Sequence, residues 1–266
     1  MIRWRWAAGA AVTLAVVAAC AEIGTGPSVP AAIELSPFPF PSVVVGDTLR
    51  SFDGKVAPIR AIVRNSAGDA IDDAPVRYLY ADFNRDSALV VDSLTGVVVA
   101  RKAITSEARL AARVGSTLQV IRTLTVTQRP DTASVPAAPA IFRVTVPDTG
   151  RTGAQSNTSP ALSVTVQSRA TGQPSGVAGW AVRFDLVRPA NPTNDTSATV
   201  YLVDDRGSAS IIDTTDGSGN AGRKVRIRAA TYPGVAGDTV DVRATILYRG
   251  APVPGAPLRL RLPVRR

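Results

Sequence analysis

Cys20 is the only cysteine in the 266-residue chain, and its thiol is the side chain best suited to covalent chemistry. It directly follows residues 7–19, an uncharged and mostly apolar run, and Arg3 and Arg5 precede that run. A cationic start followed by a short apolar run is typical of a secretory signal. The run is shorter than the roughly 20 residues that span a bilayer comfortably. We therefore predict that residues 1–19 direct export.

The end of this segment, Val17-Ala18-Ala19-Cys20, resembles the lipobox of bacterial lipoproteins, an aliphatic residue and two small residues before a cysteine. The resemblance implies that Cys20 is alkylated by diacylglycerol and becomes the acylated N-terminus, which inserts into the membrane. Two or three acyl chains hold a protein firmly, whereas one binds reversibly. Ala21 in place of Asp implies an outer-membrane lipoprotein that faces the periplasm or the cell surface. The alternative is an ordinary signal peptide or anchor in which Cys20 is incidental.

Basic residues alternate with apolar residues in two C-terminal segments. In RKVRIRAA, one face of a strand would carry Lys224, Arg226 and Arg228, and in LRLRLPVRR one face would carry Arg259 and Arg261. If both strands lie in one sheet, the five cations form a candidate face for an anionic glycan or another envelope component. The alternative is a solvated face whose charges discourage edge pairing and aggregation.

The net positive charge is confined to the C-terminal half of the mature chain. Residues 21–139 hold 12 basic and 12 acidic residues, whereas residues 140–266 hold 16 basic and 9 acidic residues. No DNA-binding motif accompanies this charge, and no aromatic residues are interleaved with the cations. We therefore expect no nucleic-acid partner.

Catalytic and metal-binding patterns are weak. The sequence has no histidine, which removes the commonest general base and metal ligand. The acidic segments 82–87 and 216–220 carry spaced oxygen ligands like the start of a calcium loop. The first lacks the sharp-turn glycine and the bidentate glutamate of such a loop, and we interpret both as turns. We predict no enzyme, no catalytic residue, no metal and no cofactor, although paired carboxylates alone can cleave glycosides.

Strict alternation of apolar and polar residues predicts short strands with one buried face. Examples lie at residues 55–65, 76–81 and 117–127, and turn residues separate them. Strands at a spacing of about 8–12 residues predict an all-β chain of two tandem immunoglobulin-like β-sandwich domains. Trp180 is interpreted as a core anchor of the second sandwich.

The order of motifs in each half resembles a bacterial immunoglobulin-like module. VVVGDTLR, AIVRNSAGDAIDDAPVRYLY and ALVVDSLTGVVVARK resemble group 2 modules, and TTDGSGNAGRKVRI resembles group 1 modules of invasin- and intimin-type adhesins. The predicted organisation is a lipoprotein signal peptide (1–19), a lipidated tether (20–30), a first module (31–128), a Pro/Ala-rich linker (129–140) and a second, basic module (141–266). Both families serve mainly as extracellular stalk, spacer and adhesion units.

The resemblance implies a membrane-anchored envelope lipoprotein whose modules serve adhesion or the binding of protein or glycan at the cell surface. The alternative is a structural spacer or assembly component of the periplasm or envelope with no dedicated ligand. The two hypotheses differ in whether the cations of the second module bind a partner.

Overall fold

The computed structural model describes residues 26–82, 88–104, 107–143, 157–228 and 238–265. These residues form β-strands, turns and loops, and they contain no helix. None of the described residues forms a helix long and apolar enough to cross a membrane. The chain is all-β and folds into two tandem immunoglobulin-like sandwiches, as the alternation pattern predicts.

The described residues of the first sandwich form eight strands. A four-stranded sheet has the order β2-β8-β7-β4, and the pairs β1-β3 and β5-β6 complete the module. The alternation places Ile59 and Val63 inside, and both are buried. The strands are β1 (Ala32–Leu35), β2 (Ser42–Val44), β3 (Ala61–Arg64), β4 (Arg77–Tyr80), β5 (Leu89–Val91), β6 (Val98–Ala100), β7 (Ala108–Val114) and β8 (Leu118–Thr127).

In its described residues, the second sandwich packs two sheets of five strands and has the separate pair β18-β19. One has the order β10-β20-β17-β13-β15, and the other has the order β12-β11-β16-β14 with β9 added beside β11. Phe184 and Ile227 are among its fully buried side chains. The strands are β9 (Thr132–Ser134), β10 (Phe142–Arg143), β11 (Leu162–Ser168), β12 (Ser175–Gly176), β13 (Ala181–Arg188), β14 (Val200–Val203), β15 (Ile212–Thr214), β16 (Asn220–Ile227), β17 (Thr239–Thr245), β18 (Leu247–Tyr248), β19 (Ala251–Pro252) and β20 (Leu258–Arg265).

The two modules share one feature of strand pairing. In each, an early strand pairs in parallel with the last strand, β2 with β8 in the first module and β10 with β20 in the second. The other strand pairs in the described ranges are antiparallel, and each joins strands of the same module. The parallel pairs hold the start of each module beside its end.

The segment 129–140, which the sequence predicts to be a linker, contributes a strand. β9 pairs with β11 in antiparallel register, and the Ala133 N–H donates to the Pro254 carbonyl at 2.9 Å. The Asp131 carboxylate also accepts a hydrogen bond from the Arg169 N–H at 2.8 Å. Three residues of the predicted spacer are therefore part of a sheet of the second sandwich.

Candidate functional site

The five predicted cations do not share one sheet. Lys224 and Arg226 lie on β16, and Arg228 follows directly after it. Arg259 and Arg261 lie on β20, which belongs to the opposite sheet of the sandwich. The alternation correctly predicts that each set faces outward, but the single five-cation face is wrong because strand pairing depends on contacts that are distant in sequence.

The cations of β16 are engaged by neighbouring loops. Lys224 forms an ion pair with Asp205 at 2.9 Å, and Arg226 donates to the Gly207 carbonyl at 3.5 Å. The Arg228 guanidinium donates to the Thr196 carbonyl and lies 5.9 Å from the centre of the Tyr201 ring. The turns of their own module therefore occupy part of the hydrogen-bonding capacity of these three side chains.

The cations of β20 are part of a larger surface. The outer face of the β10-β20-β17-β13 sheet carries seven arginines and two aspartates in adjacent register positions, and we call this surface the arginine face. Its members are Arg143, Arg183, Asp185, Arg188, Asp241, Arg243, Arg259, Arg261 and Arg265. Ion pairs join Arg183 to Asp185 at 2.9 Å, Arg243 to Asp185 at 3.5 Å and Arg261 to Asp241 at 3.7 Å.

Sequence reasoning missed the third cluster, which joins the two modules. Asp47 lies just after β2 in the first module, and its carboxylate is 5% exposed. Arg249 of the second module donates to it through Nε at 2.8 Å, and the Tyr248 hydroxyl donates to it at 3.1 Å. Arg50 donates to the same carboxylate at 3.1 Å, and the Thr48 N–H donates at 2.8 Å.

The protonation of Asp47 follows from these contacts. Burial raises the pKa of this carboxyl, but the hydrogen bonds from Arg249, Arg50, the Thr48 N–H and Tyr248 outweigh burial and hold the pKa well below its ordinary value. Burial, and then the charge and hydrogen bond of Asp47, raise the pKa of Tyr248. Asp47 is therefore ionised and Tyr248 neutral near neutral pH, which is the state in which their hydrogen bond forms.

Aromatic rings surround this ion cluster. Trp180 is buried, as the sequence predicts, but its ring contacts aromatic rings of both modules. Its ring lies 4.8 Å from that of Phe40, in the first module, and 6.1 Å from that of Tyr248, with edge-on and tilted geometry. Aromatic pairs at these distances are attractive beyond the area they bury. We call the contact between the modules, built around Asp47 and Trp180, the joint.

The main chains also touch at the joint. Gly54 has a φ of +85°, and a Cβ built on it would lie 2.2 Å from the carbonyl carbon of Arg249. Gly250 has a φ of +78°, and a Cβ there would lie 2.7 Å from the Asp53 carbonyl oxygen. Only glycine permits both this backbone conformation and this close approach. The two turns therefore interlock directly.

A small cavity remains at the joint, with Phe40, Asp47, Phe52, Trp180 and Tyr248 among its lining residues. Its volume is about 30 Å³. Sites for small organic ligands have volumes of about 300–1,000 Å³, and about 10–15 Å³ suffices for a water molecule. The size of this cavity fits a structural contact and not a ligand site.

The structure describes the remaining predicted sites only in part. Cys20 lies outside the described residues, as do residues 83–87 of the first acidic segment. The Asp82 carboxylate, which precedes them, accepts hydrogen bonds from the Arg109 N–H and Nε at 2.9 and 2.6 Å. In the second segment, Asp216 accepts from the N–H groups of Ser218 and Asn220, which is the geometry of the predicted turn. The described ranges contain no group of three acidic residues placed to hold a metal ion.

No protein-family model and no curated protein matches the chain. Solved structures with similarity include domains 4 and 5 of the S-layer protein SbsC, at 12% identity and a TM-score of 0.28, covering 89% of this chain and 99% of that one. The adhesin InvE of Yersinia pseudotuberculosis is similar at 16% identity and a TM-score of 0.32, covering 87% of this chain and 57% of that one. A chimeric titin Z1Z2 protein is similar at 14% identity and a TM-score of 0.29, covering 89% and 98%. These TM-scores are below 0.5, and the fold assignment rests on the sheet topology.

Proposed function

We propose that the chain is an exported lipoprotein of the outer membrane, tethered through Cys20, whose two sandwiches form one rigid stalk that displays a binding surface. Two modules joined by a flexible linker would reorient freely, and a bound partner would then be held at no fixed angle. The joint prevents that reorientation because it combines a buried ion cluster, an aromatic contact and interlocked turns. This joint is the observation that carries the proposal.

Rigidity follows from the number of independent contacts across the joint. Rotation of one module against the other would separate Asp47 from Arg249, Trp180 from Phe40 and Gly54 from Gly250 at the same time. Asp47 would then lose its hydrogen bonds from Arg249 and Tyr248, and water would have to replace these donors. A single closed orientation is therefore the expected state in solution.

The tether is tested by intact-mass spectrometry of the chain extracted from membranes, with Cys20→Ser as the control. The expected result is the mass of a diacylglyceryl group on the wild-type chain and not on the control. Protease shaving of whole cells then separates a surface-exposed chain from a periplasmic one. An unmodified Cys20 in a membrane-extracted chain would contradict the tether.

The rigidity is tested by ¹⁵N relaxation of the purified chain. The expected result is one rotational diffusion tensor that fits the amides of both modules, since the modules tumble as one body. Separate correlation times for residues 31–128 and 141–265 would contradict a rigid stalk. This measurement is independent of lipidation, so the two parts of the proposal fail separately.

A structural spacer with no ligand of its own is the alternative function, and the joint favours it equally, because a spacer also requires a fixed length. The two functions differ in one respect. A display stalk presents a surface with unused binding capacity, whereas a spacer has no need of one.

A further inference from the structure

We propose that the arginine face of the second module binds a linear acidic polysaccharide. This inference deepens the proposed function by naming the class of partner that the display stalk would bind. It rests on the proposed export of the chain, because such glycans occur outside the cytoplasm.

The arginine face has more cations than its own carboxylates can neutralise. Asp185 lies between Arg183 and Arg243, and Asp241 pairs with Arg261. No acidic side chain in the described part of the chain lies within ion-pair distance of Arg259. Seven arginines against two aspartates leave a net charge of +5 on one sheet surface.

Like charges face each other directly on this surface. Arg243 is the cross-strand partner of Arg259, and Arg143 is the partner of Arg265. Like charges in directly opposed positions destabilise a sheet. A bound polyanion removes that repulsion, so binding and the stability of the second module should be coupled.

The arrangement suits an extended chain of anionic groups. Arg259, Arg261 and Arg265 point outward along β20 over about 20 Å, given a rise of about 3.4 Å per residue. Arg243 lies on the neighbouring strand and Arg183 on the next, which extends the row diagonally across the sheet. A linear polymer with a carboxylate or sulfate on successive sugars meets several of these cations at once.

The side-chain chemistry favours this partner over a membrane or a nucleic acid. All seven cations are arginines, whose planar guanidinium binds carboxylates and sulfates through two parallel hydrogen bonds. The other outward positions of β17 and β20 are Thr239, Thr245 and Pro263. The centre of the face thus presents no large apolar side chain to enter a bilayer and no aromatic ring to stack on a base.

The test measures binding of the full-length, detergent-solubilised chain to immobilised polygalacturonate and dextran sulfate. Neutral dextran and vesicles of phosphatidylglycerol are run in parallel. The test variant is Arg243→Gln/Arg259→Gln, which removes two charges from the arginine face. The matched control is Lys224→Gln/Arg226→Gln, which removes two charges from the opposite sheet.

The expected result is saturable binding to the acidic polysaccharides, which weakens as salt is added, and no binding to neutral dextran. The test variant should lose on the order of tenfold in affinity, corresponding to the loss of contacts with two anionic groups, and the control should stay within about twofold. The melting temperature of the test variant should change little, because the substitution removes both the repulsion between Arg243 and Arg259 and the ion pair of Arg243 with Asp185.

Three results would overturn the inference. They are an absence of polysaccharide binding at low salt, an equal loss of affinity in the control, and stronger binding to the vesicles than to the polysaccharides through the same face. None of them bears on the joint or on Cys20. A failure here would therefore leave the stalk as a spacer, while a failure of the rigidity test would leave glycan binding intact.

Discussion

The joint and the arginine face are both built from arginines and aspartates, but the joint centres on one buried aspartate, whereas the arginine face is an exposed surface with an excess of arginines. At the joint, one buried carboxylate receives hydrogen bonds from two arginines and a tyrosine. On the arginine face, seven largely exposed arginines accompany only two aspartates, and three of the arginines form ion pairs with them. A buried carboxylate has no water to replace a lost donor, so its arginines are structural. An exposed guanidinium without a protein partner remains available to a ligand.

Because of this difference, substitutions in the two regions should have opposite effects on stability and on ligand binding. Substitutions at the joint should cost stability or orientation and leave ligand binding to the second module unchanged. Substitutions on the arginine face should cost ligand binding and leave stability unchanged or slightly higher.

Gly54→Ala should open the joint. The new Cβ would meet the backbone of Arg249 and Gly250 at 2.2 Å, and a backbone carbon cannot move aside as a flexible side chain can. Gly68→Ala is the matched control, because Gly68 has a similar φ of +91° but no heavy atom within 4 Å of its Cβ position. Both variants carry the strain of a left-handed alanine, about 1–2 kcal/mol.

Only Gly54→Ala should change the fluorescence of Trp180. This is the one tryptophan left after removal of the predicted signal, and it is buried against Phe40. Separation of the modules would expose its ring to water and shift its emission to the red. A red shift of equal size in Gly68→Ala would show that strain in the first module, and not contact at the joint, controls the signal.

Asp47→Ala should lower the free energy of unfolding by about 2 kcal/mol, because hydrogen bonds to a charged group contribute about 1.5–3 kcal/mol each and the exposed Arg249 regains water. Urea denaturation of the full-length chain measures this change. Asp53→Ala is a suitable control, since that carboxylate is solvent-exposed and pairs only with its neighbours Ser51 and Lys55. A loss of equal size in both variants would contradict a special role for Asp47.

The joint should remain closed at mildly acidic pH. The folded-state pKa of Asp47 is lowered, so its contribution to stability is complete above the unfolded value of about 3.9 and declines as the pH falls toward the folded value. Tyr248 has a raised pKa, so its contribution is complete below about pH 10 and is lost as the pH rises further. Trp180 emission should be constant from about pH 5 to pH 9, and a transition near pH 6 would contradict this assignment.

Arg259→Gln should raise the free energy of unfolding by about 0.3 kcal/mol, because it removes the repulsion between Arg259 and its cross-strand partner Arg243. Lys224→Gln should instead lower it slightly, since Lys224 forms an ion pair with Asp205. Urea denaturation of the two variants under identical low-salt conditions measures this difference in sign. A clear loss of stability in Arg259→Gln would show that this arginine is part of the framework.

Local patterns predicted the strands and their faces but not their partners. Alternation around Val225 and Ile227 correctly placed these residues inside and their basic neighbours outside. It could not show that β16 and β20 lie in different sheets, since pairing is decided by residues far apart in the chain. The arginine face appears only when β10, β13, β17 and β20 are brought together.

The joint was beyond prediction for the same reason. Asp47 and Arg249 are about two hundred residues apart, and no periodic pattern links them. The burial of Trp180 was predictable from its apolar surroundings, but its contact with the other module was not. The signals that could have suggested a joint were weak ones, a carboxylate followed three residues later by Arg50 and glycines in the turns at Gly54 and Gly250.

The most direct test of a rigid two-module stalk is a distance distribution across the joint. Spin labels at Ala67→Cys and Ser218→Cys, both in exposed turns, are introduced in a Cys20→Ser background so that only two thiols carry label. Pulsed electron paramagnetic resonance should give one narrow distance in the otherwise unaltered chain, and the distribution should broaden in Gly54→Ala and Asp47→Ala. A broad distribution that neither substitution changes would show that the modules move independently and would contradict the account.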